Sequence, residues 1–514
     1  MIKYPKFIAI GIAIILLCTA SLSAQDDLMF PVQEFTLDNG LTFLVVERHT
    51  APVFSGFIVV GAGSANEKIG NIGTAHLFEH MMFKGSKSVG TNDYQAESEL
   101  MVIEDSIWAQ IAHADGETRY IKLNNPEKLD EHLARIDSLR ATLDSLAVLG
   151  SQYVIQNEFD LLYTRNGAAQ FNAVTGYDFT RYFVSLPSNR LELWFSMESD
   201  RLIYPTLREF FPERNVVSEE RRQSVENNAD SKLFEQLIGT AFIAHPYQIF
   251  WEWQSEENNL SRSDLTDFHR MYYTPSNMTV AVVGDVTVAE VRKMAEKYFS
   301  PLPAASSPEP IYTREPEQQG ERRVEQIFDA NPAVFIAYHK VPFDHPDEPA
   351  FRVIERLVAE GRTSRFYKSL VIDQQLCVDI SVDAFPGSSL GDKYASVFNI
   401  YAYPKDSVST LDVEKAIYAE LEKLATEPVT ERELQKIKNN IDADFIWRAY
   451  SNLGLAGVLA TSKNLAGDWK YLSKFRDNMK KVSAEDIMRV AGKYFTRENR
   501  TVATMIPKEK EGSL

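Results

Sequence analysis

The chain has 514 residues, 44% apolar and 25% charged. That is the balance of a globular protein too long for one ordinary core, so two or more domains are expected. Its net charge of −18 argues against nucleic-acid binding, which needs basic patches; acidity serves solubility, and would favour basic peptides if it lined a chamber.

The first residues stand apart. Lys3 and Lys6 precede an apolar run from Phe7 to Leu17, then Cys18-Thr19-Ala20-Ser21-Leu22-Ser23-Ala24-Gln25. A positive start, a short apolar core and small residues read as a secretory signal over residues 1–24, cleaved near Ala24. The run is too short to span a membrane comfortably. Leu17 stands where a lipoprotein signal wants a small residue, which argues against lipid anchoring through Cys18. Export is expected, with the periplasm as the destination. Only Cys377 then remains, so no internal disulfide is available.

From Phe35 to Val60 the chain reads as strands. Phe35-Thr36-Leu37 and Leu41 to Val46 flank Asp38-Asn39-Gly40, a strong hairpin signal. Phe54 to Val60 follows, and Gly61-Ala62-Gly63-Ser64 ends it. Next comes Gly73-Thr74-Ala75-His76-Leu77-Phe78-Glu79-His80-Met81-Met82-Phe83. His76 and His80, at i and i+4, share one helical face with Glu79 beside them. The apolar neighbours predict burial, and a buried His-Glu-His cluster without a function or a metal is costly. The order His-x-x-Glu-His is the inverzincin signature, two metal ligands with a base between them.

From about Ala96 to Leu162 the pattern changes. Leu129, Leu133, Ile136, Leu139, Leu143 and Leu146 step by four and three, a helical stripe. Gly116 and Asn124-Asn125-Pro126 are expected to break it upstream, and Gly150 downstream. The segment reads as a helical hairpin inserted into the first half.

A zinc hydrolase needs three protein ligands and an open position. His49, His113, His132, His245, His269, His339 and His345 are scattered, and periodicity chooses none. A carboxylate-rich helix is more telling: Pro212-Glu213-Arg214-Asn215-Val216-Val217-Ser218-Glu219-Glu220-Arg221-Arg222. Glu213 and Glu220 lie two turns apart on one face, but spacing does not select Glu220 over Glu219.

Prolines crowd the stretch from Ser300 to Arg323, at Pro301, Pro303, Pro308, Pro310 and Pro316, which suits a linker. Either side of it the chain repeats. Ser261-Arg262-Ser263-Asp264 leads to Tyr272 and Asn277-Met278-Thr279-Val280-Ala281; Ser483-Ala484-Glu485-Asp486 leads to Tyr494 and Asn499-Arg500-Thr501-Val502-Ala503, at a constant offset of 222 residues. Each is a capped helix, a turn and a strand. Two homologous α/β domains are therefore expected. The first spans residues 30–300, with its insertion at about 96–162. A linker covers 301–323, and the second domain, at 324–510, lacks His-x-x-Glu-His.

The chain resembles the pitrilysin (M16) family of inverzincins, which includes insulin-degrading enzyme and the mitochondrial processing peptidase. The likeness covers nearly all of the exported chain. It rests on Gly63-Ser64, Glu67, His76 to His80, Phe83-Lys84-Gly85, Asn172-Ala173-Val174-Thr175-Gly176-Tyr177, Glu213-Arg214 with Glu220, His245-Pro246-Tyr247 and Tyr273-Thr274-Pro275-Ser276-Asn277. The resemblance implies an α+β fold, two homologous domains making half of a clamshell. It implies one Zn2+ per chain on His76, His80 and Glu220, with Glu79 as general base and Glu213 orienting the site. It implies that Asn172 and Ala173 lie on an edge strand that pairs with an extended peptide substrate.

Two departures matter. The interval from His80 to Glu220 is long for the family, and the helical insertion accounts for it. Beyond Gly361-Arg362-Thr363-Ser364-Arg365-Phe366-Tyr367, active clamshells carry an arginine and a tyrosine that bind substrate opposite the zinc. Here Ile372 stands at the arginine position, and no tyrosine follows in Asp373-Gln374-Gln375-Leu376-Cys377-Val378. A dimer is expected, preferably with a related chain that supplies the pair. The expected function is a zinc endopeptidase of peptides or small unfolded proteins outside the cytoplasm. The alternative is a non-catalytic, peptide-binding subunit of a heterodimer.

Overall fold

The computed structural model describes residues 30–508; the secretory-signal reading lies outside them. Eleven strands are described: β1 (Gln33–Thr36), β2 (Thr42–Glu47), β3 (Val53–Val60), β4 (Ala169–Thr175), β5 (Thr180–Pro187), β6 (Met278–Gly284), β7 (Arg322–Phe328), β8 (Ala333–Lys340), β9 (Cys377–Phe385), β10 (Ser396–Pro404) and β11 (Arg500–Pro507). The helices that frame the site and the repeat are α1 (Thr74–Met81), α2 (Tyr94–Asn124), α3 (Leu129–Gly150), α4 (Phe210–Arg221), α5 (Ala229–Ala241), α6 (Arg262–Tyr272), α7 (Glu348–Ala359), α8 (Glu431–Tyr450), α9 (Asn452–Ala466) and α10 (Ala484–Tyr494).

The strands form two sheets, in the orders β1-β2-β6-β3-β5-β4 and β7-β11-β8-β10-β9. Without β1 the orders are the same. Each sheet has one parallel pair, β2 with β6 and β7 with β11, and is otherwise antiparallel. Side-chain contacts repeat as well. Ser261 with Asp264 and Ser483 with Asp486 form capping boxes at the starts of α6 and α10. Asn277 Nδ2 donates to Tyr272 O at 2.9 Å, and Asn499 Nδ2 to Tyr494 O at 2.8 Å. The fold is a mixed α/β pair of similar halves.

The halves exchange a helix. α5, from the first, covers the second sheet: Leu233, Leu237, Ile238 and Ala241 pack against Phe335, Ala337, Val397, Ala503 and Met505. α9, from the second, covers the first sheet with Leu455, Ala456, Leu459 and Ala460 against Leu44, Val46, Phe57, Ala281 and Val283. Each apolar sheet face is thus closed by the other half, which ties the two together. Between Phe299 and Arg322 there is no helix or strand, yet the segment is pinned. Glu315 accepts the backbone N–H groups of Ile243, Ala244 and His245.

The insertion is a helical hairpin, α2 against α3. Gly116 does not break it; α2 runs through to Asn124. One exposed glycine costs a helix only about 1 kcal/mol against alanine, less than the packing around it supplies. The expected stripe also shifts. Ile136 and Leu143 are buried, Leu133 is exposed, and His132 takes the buried place beside it, with Nε2 2.9 Å from Ala114 O. The hairpin is stapled to the first half by Arg208, only 1% exposed. Arg208 pairs with Glu97 at 2.8 Å and donates to the carbonyls of Lys84, Ser86 and Val89 just after α1.

Candidate metal centre

α1 follows a loop that turns at Gly73, whose φ of +99° suits glycine. The part-buried Glu67 caps its start, accepting Gly73 N–H at 3.0 Å and Ala75 N–H at 2.6 Å. Burial pushes the Glu67 carboxyl up to about 8, against the opposing pull of those two N–H groups. Leu77, Phe78 and Met81 face the core, and His76 and His80 face the opposite helix α4.

Three side chains with ligand atoms converge there. Oε2 of Glu220 lies 3.7 Å from Nε2 of His76 and 3.7 Å from Nε2 of His80. The two rings stand at 88° with centroids 4.9 Å apart. Glu219 points away, accepting from Arg222 and Gln223, so the backbone phase of α4 makes the choice that spacing leaves open. Glu220 is 43% exposed, which leaves the cluster open on one side.

Each ring is held from behind. Nδ1 of His76 lies 2.8 Å from Glu252, and Nδ1 of His80 lies 2.9 Å from Glu213. Ionised carboxylates only accept, so both Nδ1 atoms carry a proton and both Nε2 atoms face Glu220. Lys84 Nζ, 2.6 Å from Glu213, backs the second pair. Burial would raise the Glu213 pKa, but its bonds to His80 and Lys84 bring it down to about 2. Burial lowers the His76 pKa; the hydrogen bond and charge of Glu252, with Glu79 and Glu220, outweigh this and carry it up to about 9.

This donor set fits a zinc ion. Bonds of about 2.0–2.2 Å put neighbouring tetrahedral ligands roughly 3.4 Å apart, and the three ligand atoms here all lie within 4.8 Å of one another. The surplus of carboxylates that favours a proton on His76 favours a dication as well. Glu79 is 9% exposed, and its Oε2 accepts the Thr175 hydroxyl at 2.6 Å. Beside His76 opens a cleft of about 210 Å3, walled by Ile72, Thr175, Tyr177, Ile249, Phe250 and Trp251.

Among the described residues β4 is the edge of its sheet, paired only with β5. Asn172 is exposed and Ala173 buried, as alternation requires. The N–H of Ala173 is held by Oδ1 of Asn172 at 2.8 Å.

Glu252 and Thr175 were not singled out by sequence reasoning. Nothing in Trp251-Glu252-Trp253 points to a histidine 176 residues earlier, and a threonine ending a strand is ordinary.

The second half fills the same place differently. α7 lies between β8 and β9, as α1 lies between β3 and β4. It carries Arg352-Val353-Ile354-Glu355-Arg356, with arginines where α1 has histidines. Arg352 binds Glu348 and Glu355 at 3.0 Å each, and Arg356 binds Asp444 at 2.7 Å. The guanidinium groups supply the positive charge themselves, and the acids there are already paired.

Residues 42–133 and 142–250 match the family model described as Insulinase (Peptidase family M16), and residues 259–441 match Peptidase M16 inactive domain. The chain belongs to the M16 peptidase family. Among M16 proteins, the zinc protease PqqE of Helicobacter pylori is 28% identical over 97% of this chain and 98% of its own. The crystal structure of a protease from Helicobacter pylori has a TM-score of 0.75 and 27% identity, covering 93% of this chain and 100% of that one. The periplasmic protease PqqL from Escherichia coli shares the fold, with a TM-score of 0.66 and 16% identity; 93% of this chain covers 48% of it. The gap in the first M16 match, at residues 134–141, falls within α3. No helix among the described residues is long and apolar enough to cross a membrane.

Proposed function

We propose that the chain is a zinc-dependent endopeptidase that cleaves peptides or small unfolded proteins outside the cytoplasm. The observation that carries this is the meeting of His76, His80 and Glu220 at 3.7 Å, each imidazole locked from behind by a carboxylate. These three side chains would hold one Zn2+, which when bound supplies Lewis acidity toward water and toward a peptide carbonyl. Glu213 and Glu252 hold the rings in the ligating tautomer and orientation. Glu79 is the general base: its carboxylate takes a proton from the attacking water and returns it to the leaving amine. The edge of β4 receives the peptide as an added strand, with Asn172 releasing the Ala173 N–H to it.

The family's arginine and tyrosine are not at their expected place, where Ile372 stands exposed. PqqL is about twice the length matched here. Both support a dimer, preferably with a related chain that brings the pair and closes the chamber. Gel filtration of the purified chain, alone and with such a partner, tests this; an active monomer would contradict it. The expected signal over residues 1–24 and the likeness to the periplasmic protease PqqL support an exported location.

A second reading, a non-catalytic peptide-binding subunit, draws on the inactive-domain match. That match covers residues 259–441, outside the cluster. Metal analysis with peptide cleavage decides. The endopeptidase reading expects one zinc per chain, and cleavage that a chelator abolishes and added zinc restores. A zinc-free chain that binds peptides without cutting them, alone or with its partner, supports the second reading.

A further inference from the structure

Glu79 is held by one neighbour. Thr175, the last residue of β4, donates its hydroxyl to Oε2 at 2.6 Å. Among the described residues no other group hydrogen-bonds this carboxylate, and Oε1 has no such partner.

Thr175 is itself fixed. It pairs with Thr180 across the ladder, and the Thr180 hydroxyl donates to Ala62 O at 3.0 Å. The next carbonyl, Gly176 O, accepts Ser64 N–H at 3.0 Å. It lies so close to Gly63 that a Cβ there would come within 2.0 Å. The strand end is thus clamped to the loop that leads into α1. Threonine is β-branched, which restricts its χ1 and aims the hydroxyl. Thr175 shares a face of β4 with Ala173, two residues earlier, and that face looks onto the core.

We propose that Thr175 is a positioning residue for the base, and that one strand, β4, places both the base and the peptide. Thr175 occupies Oε2 of Glu79 and leaves Oε1 as the oxygen that exchanges the proton. The strand whose edge takes the peptide at Asn172 and Ala173 also holds the base two residues further on, so one clamped element places both. This rests on the endopeptidase reading, with Glu79 as base.

The test compares Thr175→Val, which keeps the branched shape and loses the donor, with Thr175→Ser, which keeps the donor. Both are assayed with zinc loaded, beside Glu79→Gln. The valine variant is expected to keep its zinc and its KM and to lose about 10–100-fold in kcat, the cost of a loosely held catalytic group. The serine variant should stay within a few-fold of wild type. In a Glu79→Gln background, Thr175→Val should leave the peptide Kd unchanged within about two-fold. Equal losses in the valine and serine variants, zinc loss in the valine variant, an effect on KM alone, or a weakened Kd in the Glu79→Gln background would each overturn the proposal while leaving the endopeptidase reading standing. Full activity of Glu79→Gln would instead overturn the reading beneath it.

Discussion

Oε1 of Glu252 lies 2.8 Å from Nδ1 of His76, across 176 residues of sequence. That contact fixes which nitrogen of His76 carries the proton and which faces Glu220. Replacing Glu252 with alanine should lower zinc affinity by about 10–100-fold, the usual cost of losing a group that orients a metal-ligating histidine. Glu252→Gln, whose carbonyl oxygen still accepts from Nδ1, should lose less. Competition with a graded chelator measures both.

Arg208 is the staple of the helical insertion. Its removal would leave Glu97 and the carbonyls of Lys84 and Ser86 without their side-chain donor; the Val89 carbonyl keeps the Ser86 N–H at 3.0 Å. Breaking a buried pair of this kind costs roughly 3–5 kcal/mol, so Arg208→Ala should lower the melting temperature clearly. Limited proteolysis should then cut the α2–α3 segment first.

The contact between the halves carries a pH signature. Burial raises Asp178 to about 6, against the hydrogen bond from Tyr247 at 2.5 Å and the charge of Lys393, which lower it. A carboxyl raised in the folded chain is protonated there while the unfolded chain has already ionised. Its favourable contribution is full below about 4 and is lost as pH rises to about 6. Asp178→Asn removes this contribution. The wild-type melting temperature, measured relative to that of Asp178→Asn in metal-free protein, should fall between pH 4 and 6.5 and level off above.

Most of the fold was legible in the sequence because its signals are local. The Asn39-Gly40 turn, the Ser261 and Ser483 capping boxes and the alternation in β4 are each set within a few residues. The offset from Ser261 to Ser483 carried the repeat into two sheets of matching strand order. What stayed hidden depends on contacts between distant segments. The exchange of α5 and α9 cannot be read from either helix, since each is simply apolar on the face it buries. Gly116 misled because its cost is smaller than the packing of a long helical pair. At the site, His76, Glu79 and His80 are legible because the His-x-x-Glu-His spacing puts them together on one helix, and family likeness chose Glu220. Glu252 and Thr175 were not, because one buried hydrogen bond leaves no pattern in a sequence.

The central claim is that Glu79 does chemistry beside a metal that His76, His80 and Glu220 hold. The direct measurement is zinc content and peptide cleavage of Glu79→Gln against wild type, each with the partner chain where one is required. The account predicts one zinc per chain in both proteins, with cleavage by the variant reduced at least about 100-fold, as expected when a general base is removed. Zinc retained together with wild-type cleavage in Glu79→Gln would contradict it.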